Sequence, residues 1–191
     1  MTRTPVMVSL VIAAAVPIAA AAYGVAEARM HRTRRYHLPV LPHGSKPLSI
    51  LQVSDLHFRD PSARLASFLK GISSERFDLV VATGDLLGSP ETMPECAERL
   101  DELTGTLGRY FVFGSSDYYA PRFKNYLDYF LGRRRLGTKR NRTEEFRERL
   151  AATGWVDLNN RTVFTDLEGL RTQITGLDDP YLKRDDRSLL S

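Results

Sequence analysis

Leu48-Ser49-Ile50-Leu51-Gln52-Val53-Ser54-Asp55-Leu56-His57 decides the fold. Leu48, Ile50, Leu51 and Val53 form a short apolar run behind Lys46-Pro47, which reads as a largely buried strand. The strand empties into Asp55 and His57, two residues apart. In extended backbone, residues at that spacing point to one side. A carboxylate and an imidazole on one side of a strand end can grip a metal ion. The pair also suits an Asp that caps the next turn and a His at the rim, so the later stretches must decide.

The same arrangement recurs twice downstream. Ser62 to Ser73 is expected to be a helix, with Leu65, Phe68, Leu69 and Ile72 on one face, Pro61 in its first turn and Asp60 as its cap. Phe77 to Thr83 is strand-like and ends in Thr83-Gly84-Asp85. Pro90 to Leu103 reads as a second helix, starting near Ser89 and stopping before Gly105. Arg109 to Phe113 is a third strand, ending in Gly114-Ser115-Ser116-Asp117. Strands alternating with helices predict an α/β fold with parallel strands and right-handed crossovers.

Beyond this region the pattern is less regular. Phe123 to Leu131 is aromatic-rich and suits a short helix. Arg133-Arg134-Arg135, Lys139-Arg140 and Arg142 form a basic loop, either simply solvated or in contact with anionic headgroups or phosphate. Asn141 with Glu144 resembles a capping box for a helix running to about Ala152 and ended by Gly154. Val163-Phe164 and Arg171 to Thr175 read as strands joined by a hairpin turn at Glu168-Gly169. Gly176 to Pro180 closes a loop.

The N-terminus has a different character. Val6 to Ala26 carries no charge and is long enough to span a bilayer. Arg29, Arg32, Arg34 and Arg35 follow it, and this heavier positive flank predicts an anchor with the globular part in the cytoplasm. The alternative is a signal peptide cleaved at Ala20-Ala21-Ala22 or Ala26-Glu27-Ala28, with export of the body. Residues 1–28 are therefore the anchor or signal segment, 29–47 a basic linker holding His31, His37 and His43, and 48–191 the globular domain. The formal net charge of +4 comes from five N-terminal arginines, Arg3, Arg29, Arg32, Arg34 and Arg35; without them and Glu27 the body is neutral, which argues against a nucleic-acid partner. Cys96 is the only cysteine, so an internal disulfide and a cysteine-ligated zinc are excluded.

Asp55, Asp85 and Asp117 each sit just past the carboxyl end of an expected strand, the edge where open α/β sheets bind ligands. Three neighbouring carboxylates with His57 repel one another unless a cation joins them. Oxygen and imidazole donors without thiolates suit manganese, iron or zinc. Gly84 and Gly114 permit tight turns beside such an ion. Two ions together can clamp a phosphate and generate a hydroxide nucleophile.

Asp55-Leu56-His57, Gly84-Asp85 and the block at Gly114 to Asp117 resemble the calcineurin-like metallophosphoesterase family. The resemblance implies an αββα sandwich with a dinuclear centre of divalent ions and a phosphoester substrate. It implies Asp55 and His57 on the first metal and Asp85 bridging both. Gly176-Leu177-Asp178-Asp179-Pro180 is similar to a loop of membrane-associated members of actinobacterial type.

Two departures follow. Ser115 stands where the family has an Asn metal ligand, and Ser116 where it has a His that assists the leaving group. Both are left as weak contacts to metal or phosphate, since a hydroxyl replaces neither fully. Asp117 is retained as the catalytic position that partners that His. No histidine follows His57, so the family's later histidine blocks are expected beyond Ser191, with the sandwich incomplete and the chain truncated. The expectation is a membrane-anchored, metal-dependent phosphoesterase, or a degenerate noncatalytic form with weak metal binding.

Overall fold

Four parallel strands carry the globular part: β1 (Ile50–Val53), β2 (Arg76–Thr83), β3 (Thr104–Val112) and β4 (Val156–Asp157), ordered β1-β2-β3-β4. The structure, a computed structural model, describes residues 19–24, 26–27, 30–59, 63–121 and 137–190. Helices α1 (Ala63–Ile72) and α2 (Met93–Asp101) connect the first three strands. The short α3 (Ser115–Tyr118) follows β3, and α4 (Thr143–Ala152) leads into β4. Because the strands add in one direction, right-handed crossovers put all these helices on one face.

That face buries the larger core. Val53, Val80, Ala82 and Phe111 from the sheet meet Leu69, Leu100 and Phe146 from the helices. Phe146 is fully buried and stacks on Phe113 with ring centroids 5.6 Å apart. The other face is covered by an antiparallel hairpin, β5 (Arg161–Leu167) and β6 (Leu170–Gly176). Leu79 and Tyr110 pack there against Leu158 and Leu167, with Val163 and Ile174 alongside. The hairpin turns at Glu168 and Gly169, both at positive φ (55° and 87°), the backbone that a two-residue turn requires. The fold is thus α/β with a parallel sheet, and the two-stranded hairpin is the second layer among the described residues.

Several expectations need correction. β1 is not largely buried: Leu51 and Val53 point into the core while Ile50 is 57% exposed. It is the edge strand, and the hairpin does not cover it, so its burial alternates. β3 begins at Thr104 rather than Arg109 and runs through Gly105, the residue before which the second helix was expected to stop. Gly105 pairs with Phe77 and Gly108 with Leu79, so β3 carries an extra residue there, a bulge. A Cβ on Gly105 would lie 2.4 Å from the Gly108 carbonyl oxygen, and one on Gly108 would lie 2.7 Å from the Tyr110 ring; Gly105 serves close backbone approach and Gly108 makes room for that ring. α2 starts at Met93 after Thr92 rather than near Ser89, with Pro94 in its first turn. Asn141 forms no capping box: its side-chain amide donates to the Ser116 carbonyl at 2.5 Å, and Arg142 precedes α4.

Of the basic loop, Lys139 pairs with Glu91, Arg142 pairs with Glu145, and Arg140 lies over the Tyr119 ring. Arg133-Arg134-Arg135, the helix expected over Phe123 to Leu131, and the cap at Asp60, Pro61 and Ser62 lie outside the described residues.

The chain divides into two units, Met1–Pro39 and Val40–Ser191. In the first, residues 19–24 and 26–27 are helical and residues 30–39 have no regular structure. Most of the apolar stretch Val6 to Ala26 lies outside the described residues, and no helix among the described residues is long and apolar enough to cross a membrane.

Candidate metal centre

The loops after β1 and β2 stay zipped beyond the strands. The Asp55 amide donates to the Gly84 carbonyl at 3.0 Å, the His57 amide to the Asp85 carbonyl at 2.9 Å, and the Phe58 amide to the Leu86 carbonyl at 2.9 Å. This pairing sets the first carboxylate and the imidazole beside the second carboxylate. Asp55, His57 and Asp85 all have positive φ, at 54°, 41° and 53°. Left-handed backbone at three successive chemical positions is uncommon for residues other than glycine and is held by surrounding structure. The extended alternation expected for Asp55 and His57 is therefore not what brings them together; two left-handed turns do.

One ligand atom from each of Asp55, His57 and Asp85 can be chosen so that all lie within 4.8 Å of one another. The His57 side chain is 41% exposed and that of Asp85 26%, so an ion from solvent can reach them. His57 Nε2 stands 3.8 Å from Asp85 Oδ2, too far for a hydrogen bond. The donor set, one imidazole and two carboxylates drawn together by strained backbone, fits a divalent ion.

Neighbouring groups hold these side chains in place. Asp85 Oδ1 accepts the Ser116 amide at 2.9 Å. The Ser116 hydroxyl lies 3.3 Å from His57 Nδ1, which leaves Nε2 turned towards Asp85. Ser116 is buried behind the imidazole, whereas Ser115 helps line the pocket. Gly114 packs directly on Asp85: a Cβ there would sit 2.4 Å from Oδ1.

Asp117 is fully buried beneath these loops. Its Oδ1 accepts the Leu86 and Leu87 amides, both at 2.8 Å, and its Oδ2 accepts the Gly114 amide at 2.8 Å. Burial pushes its pKa up to about 7; the Gly114, Leu87 and Leu86 amides oppose that rise, and the Asp85 charge adds to it. Asp117 thus ties together the two loops that carry Asp85, Ser115 and Ser116. It acts here as a positioning residue, and it is absent from the pocket wall.

The pocket itself, about 280 Å³, is lined by Asp55, Asp85, Gly114 and Ser115 on one hand and by Asp178, Asp179 and Pro180 on the other. Asp178 accepts the Tyr118 hydroxyl at 2.8 Å and Arg184 Nε at 3.0 Å, with the guanidinium 4.2 Å from the centre of the Tyr118 ring. Burial raises the Tyr118 pKa to about 12, and its bond to Asp178 adds to the rise. Asp178 and Asp179 were legible as part of a loop, yet their chemistry was not anticipated. Two adjacent aspartates after a strand end were the available signal.

Residues 48–190 match the calcineurin-like phosphoesterase family. The chain belongs to that family, whose members are generally hydrolases and typically bind divalent metals. No curated protein sequence matches it. Among solved structures it is similar to the crystal structure of a phosphopantetheinyl hydrolase from Mycobacterium tuberculosis, with 15% sequence identity and a TM-score of 0.40. The match covers 66% of this chain and 41% of that one.

Proposed function

We propose that this protein is a metal-dependent phosphoesterase of phosphomono- or diesters, held at a membrane by its N-terminal apolar stretch. In this reading it is a membrane-associated member of actinobacterial type, with the globular part in the cytoplasm; export by a signal peptide is the competing topology. The observation that carries the enzymatic part is the convergence of Asp55, His57 and Asp85 within 4.8 Å at the carboxyl ends of β1 and β2. The topology rests on the arginines that follow Val6 to Ala26.

Divalent ions bound here would supply Lewis acidity and lower the pKa of a water nucleophile. Asp55, His57 and Asp85 would hold them. The Ser116 hydroxyl at Nδ1 keeps the His57 ring turned, and its amide fixes the Asp85 carboxylate. Ser116 offers no group that titrates near neutrality to protonate a leaving alkoxide. Activity should therefore depend steeply on how well the leaving group departs unaided.

A second reading is favoured by the same position. With Ser115 and Ser116 in place of an amide and an imidazole, the chain is a noncatalytic member that binds metal weakly. Bis-nitrophenyl phosphate and an alkyl phosphodiester, assayed with manganese on the full chain, separate the two. The enzyme hydrolyses the nitrophenyl ester in an Asp85-dependent manner and the alkyl ester far more slowly. Ser116→His should narrow the gap, because a positioned acid is worth about 10²–10⁴-fold. No Asp85-dependent turnover of either ester would leave the noncatalytic reading. Rapid turnover of the alkyl ester by the unaltered chain would contradict the role given to Ser116.

A further inference from the structure

Asp178 and Asp179 are neighbours in sequence, both buried, and the fold treats them oppositely. Asp178 is neutralised. It receives the Tyr118 hydroxyl, Arg184 Nε and the Asp179 amide, the last at 2.7 Å. Asp179 is only half satisfied. Its Oδ1 accepts the amides of Tyr181 at 2.6 Å and Leu182 at 3.3 Å. Its Oδ2 is shut off from solvent and accepts nothing, although the residue is only 6% exposed. A buried carboxylate oxygen without a donor or counter-charge is unfavourable.

The pocket compounds the imbalance. Its wall holds four carboxylates, those of Asp55, Asp85, Asp178 and Asp179. Arg184 pairs with one of them, Asp178. Burial pushes the Asp179 carboxyl above its usual range; the Tyr181 and Leu182 amides pull it down, and the charges of Asp85 and Asp178 push it up again. A divalent cation would satisfy the orphan oxygen and the excess negative charge together.

We propose that Asp179 is a cation ligand of this pocket, its Oδ2 binding a divalent ion alongside Asp85. This rests on the metal-centre reading above and extends it. Asp179 is not one of the three residues whose ligand atoms gather within 4.8 Å, so it serves a second position in the pocket. That position is all oxygen: besides Asp179 the pocket wall offers the carboxylates of Asp55, Asp85 and Asp178 and the hydroxyls of Thr83 and Ser115, and no imidazole. Hard oxygen donors without imidazole select magnesium or manganese over zinc. The buried carboxylate takes over a role that the neutral Ser115 fills poorly.

The test is calorimetric titration of the full chain with manganese, together with thermal unfolding with and without the ion. Asp179→Asn should weaken manganese binding about tenfold or more, as loss of a partner at a metal site does. Its metal-free melting temperature should equal or exceed that of the wild type, because an uncompensated buried charge is gone. The rise on adding manganese should shrink. A residue with a merely structural role would lower the metal-free melting temperature instead. Wild-type affinity and stoichiometry in Asp179→Asn, with binding lost in Asp85→Asn, would overturn the proposal and leave the metal centre standing. Wild-type binding in both variants would remove the metal centre, and the proposal with it. Should Asp179→Asn fail to fold, the wild type supplies the answer through its amide resonances. Those of Tyr181 and Leu182, which bond the same carboxylate, should shift on adding magnesium; unmoved resonances at saturation overturn the proposal.

Discussion

Gly114→Ala should damage the metal centre through one contact. The added Cβ would lie 2.4 Å from Asp85 Oδ1, 2.7 Å from its amide nitrogen and 3.0 Å from its Cγ, where ordinary contact begins at 3.4 Å. Asp85 must therefore retreat by about 1 Å, since the nearest obstacles include its own backbone. The backbone of Gly114 is extended, at φ −109° and ψ −179°, so alanine meets no conformational penalty there. What remains is steric overlap, costing about 1–3 kcal/mol of stability. Metal ligands must hold their places to about 0.2 Å. A shift five times larger should reduce manganese affinity by about 10–100-fold, the range for disturbed supporting contacts. Thermal unfolding of the metal-free chain reads the first effect and calorimetric titration the second. Gly169→Ala is the control: it has φ +87° but open space around it, so it loses about 1–2 kcal/mol from left-handed strain and keeps its metal affinity. Wild-type manganese affinity in Gly114→Ala would refute the argument that Asp85 is a ligand held in position by that glycine.

Phe146→Ala should cost about 3–5 kcal/mol in urea unfolding, because a fully buried ring stacked on Phe113 leaves a cavity; a loss below about 1 kcal/mol would show that the core collapses around it. The buried Asp117 carboxyl holds its proton more tightly when folded, with a pKa of about 7 against an ordinary 3.8. Its stabilising contribution is complete below the ordinary value and is lost as pH rises through about 7. The wild-type stability relative to Asp117→Asn should therefore fall over that window in metal-free denaturation; a difference independent of pH would contradict it.

Much of the fold was legible because apolar periodicity survives in the sequence. Leu65, Leu69 and Ile72 mark the buried face of α1, and Leu79 and Val80 the centre of β2. Glycine was the main source of error. Gly105 and Gly108 fall before the strand expected over Arg109 to Phe113, yet they lie inside β3, where a bulge and the Tyr110 ring leave no room for a side chain. β4 has two residues, Val156 and Asp157, too few to carry a pattern. Asp55, His57 and Asp85 could be picked out as strand-end residues, but their left-handed backbone could not, since it depends on the pairing of two loops distant in sequence. Asp117 is a similar case: three backbone amides converge on it, and amides leave no trace in a list of side chains.

The parallel pairing of β1 with β2 has a kinetic consequence. Asp55 and Asp85 become neighbours only after the chain between them has closed a crossover through α1. The hairpin of β5 and β6, by contrast, needs only local closure. Loop-closure entropy delays such non-local pairings, so the candidate metal ligands should assemble late on the folding route. An ion that recognises only the assembled pair stabilises the native state more than the barrier leading to it. Manganese should then slow unfolding while leaving the folding rate nearly unchanged, a split that stopped-flow refolding and unfolding limbs would resolve.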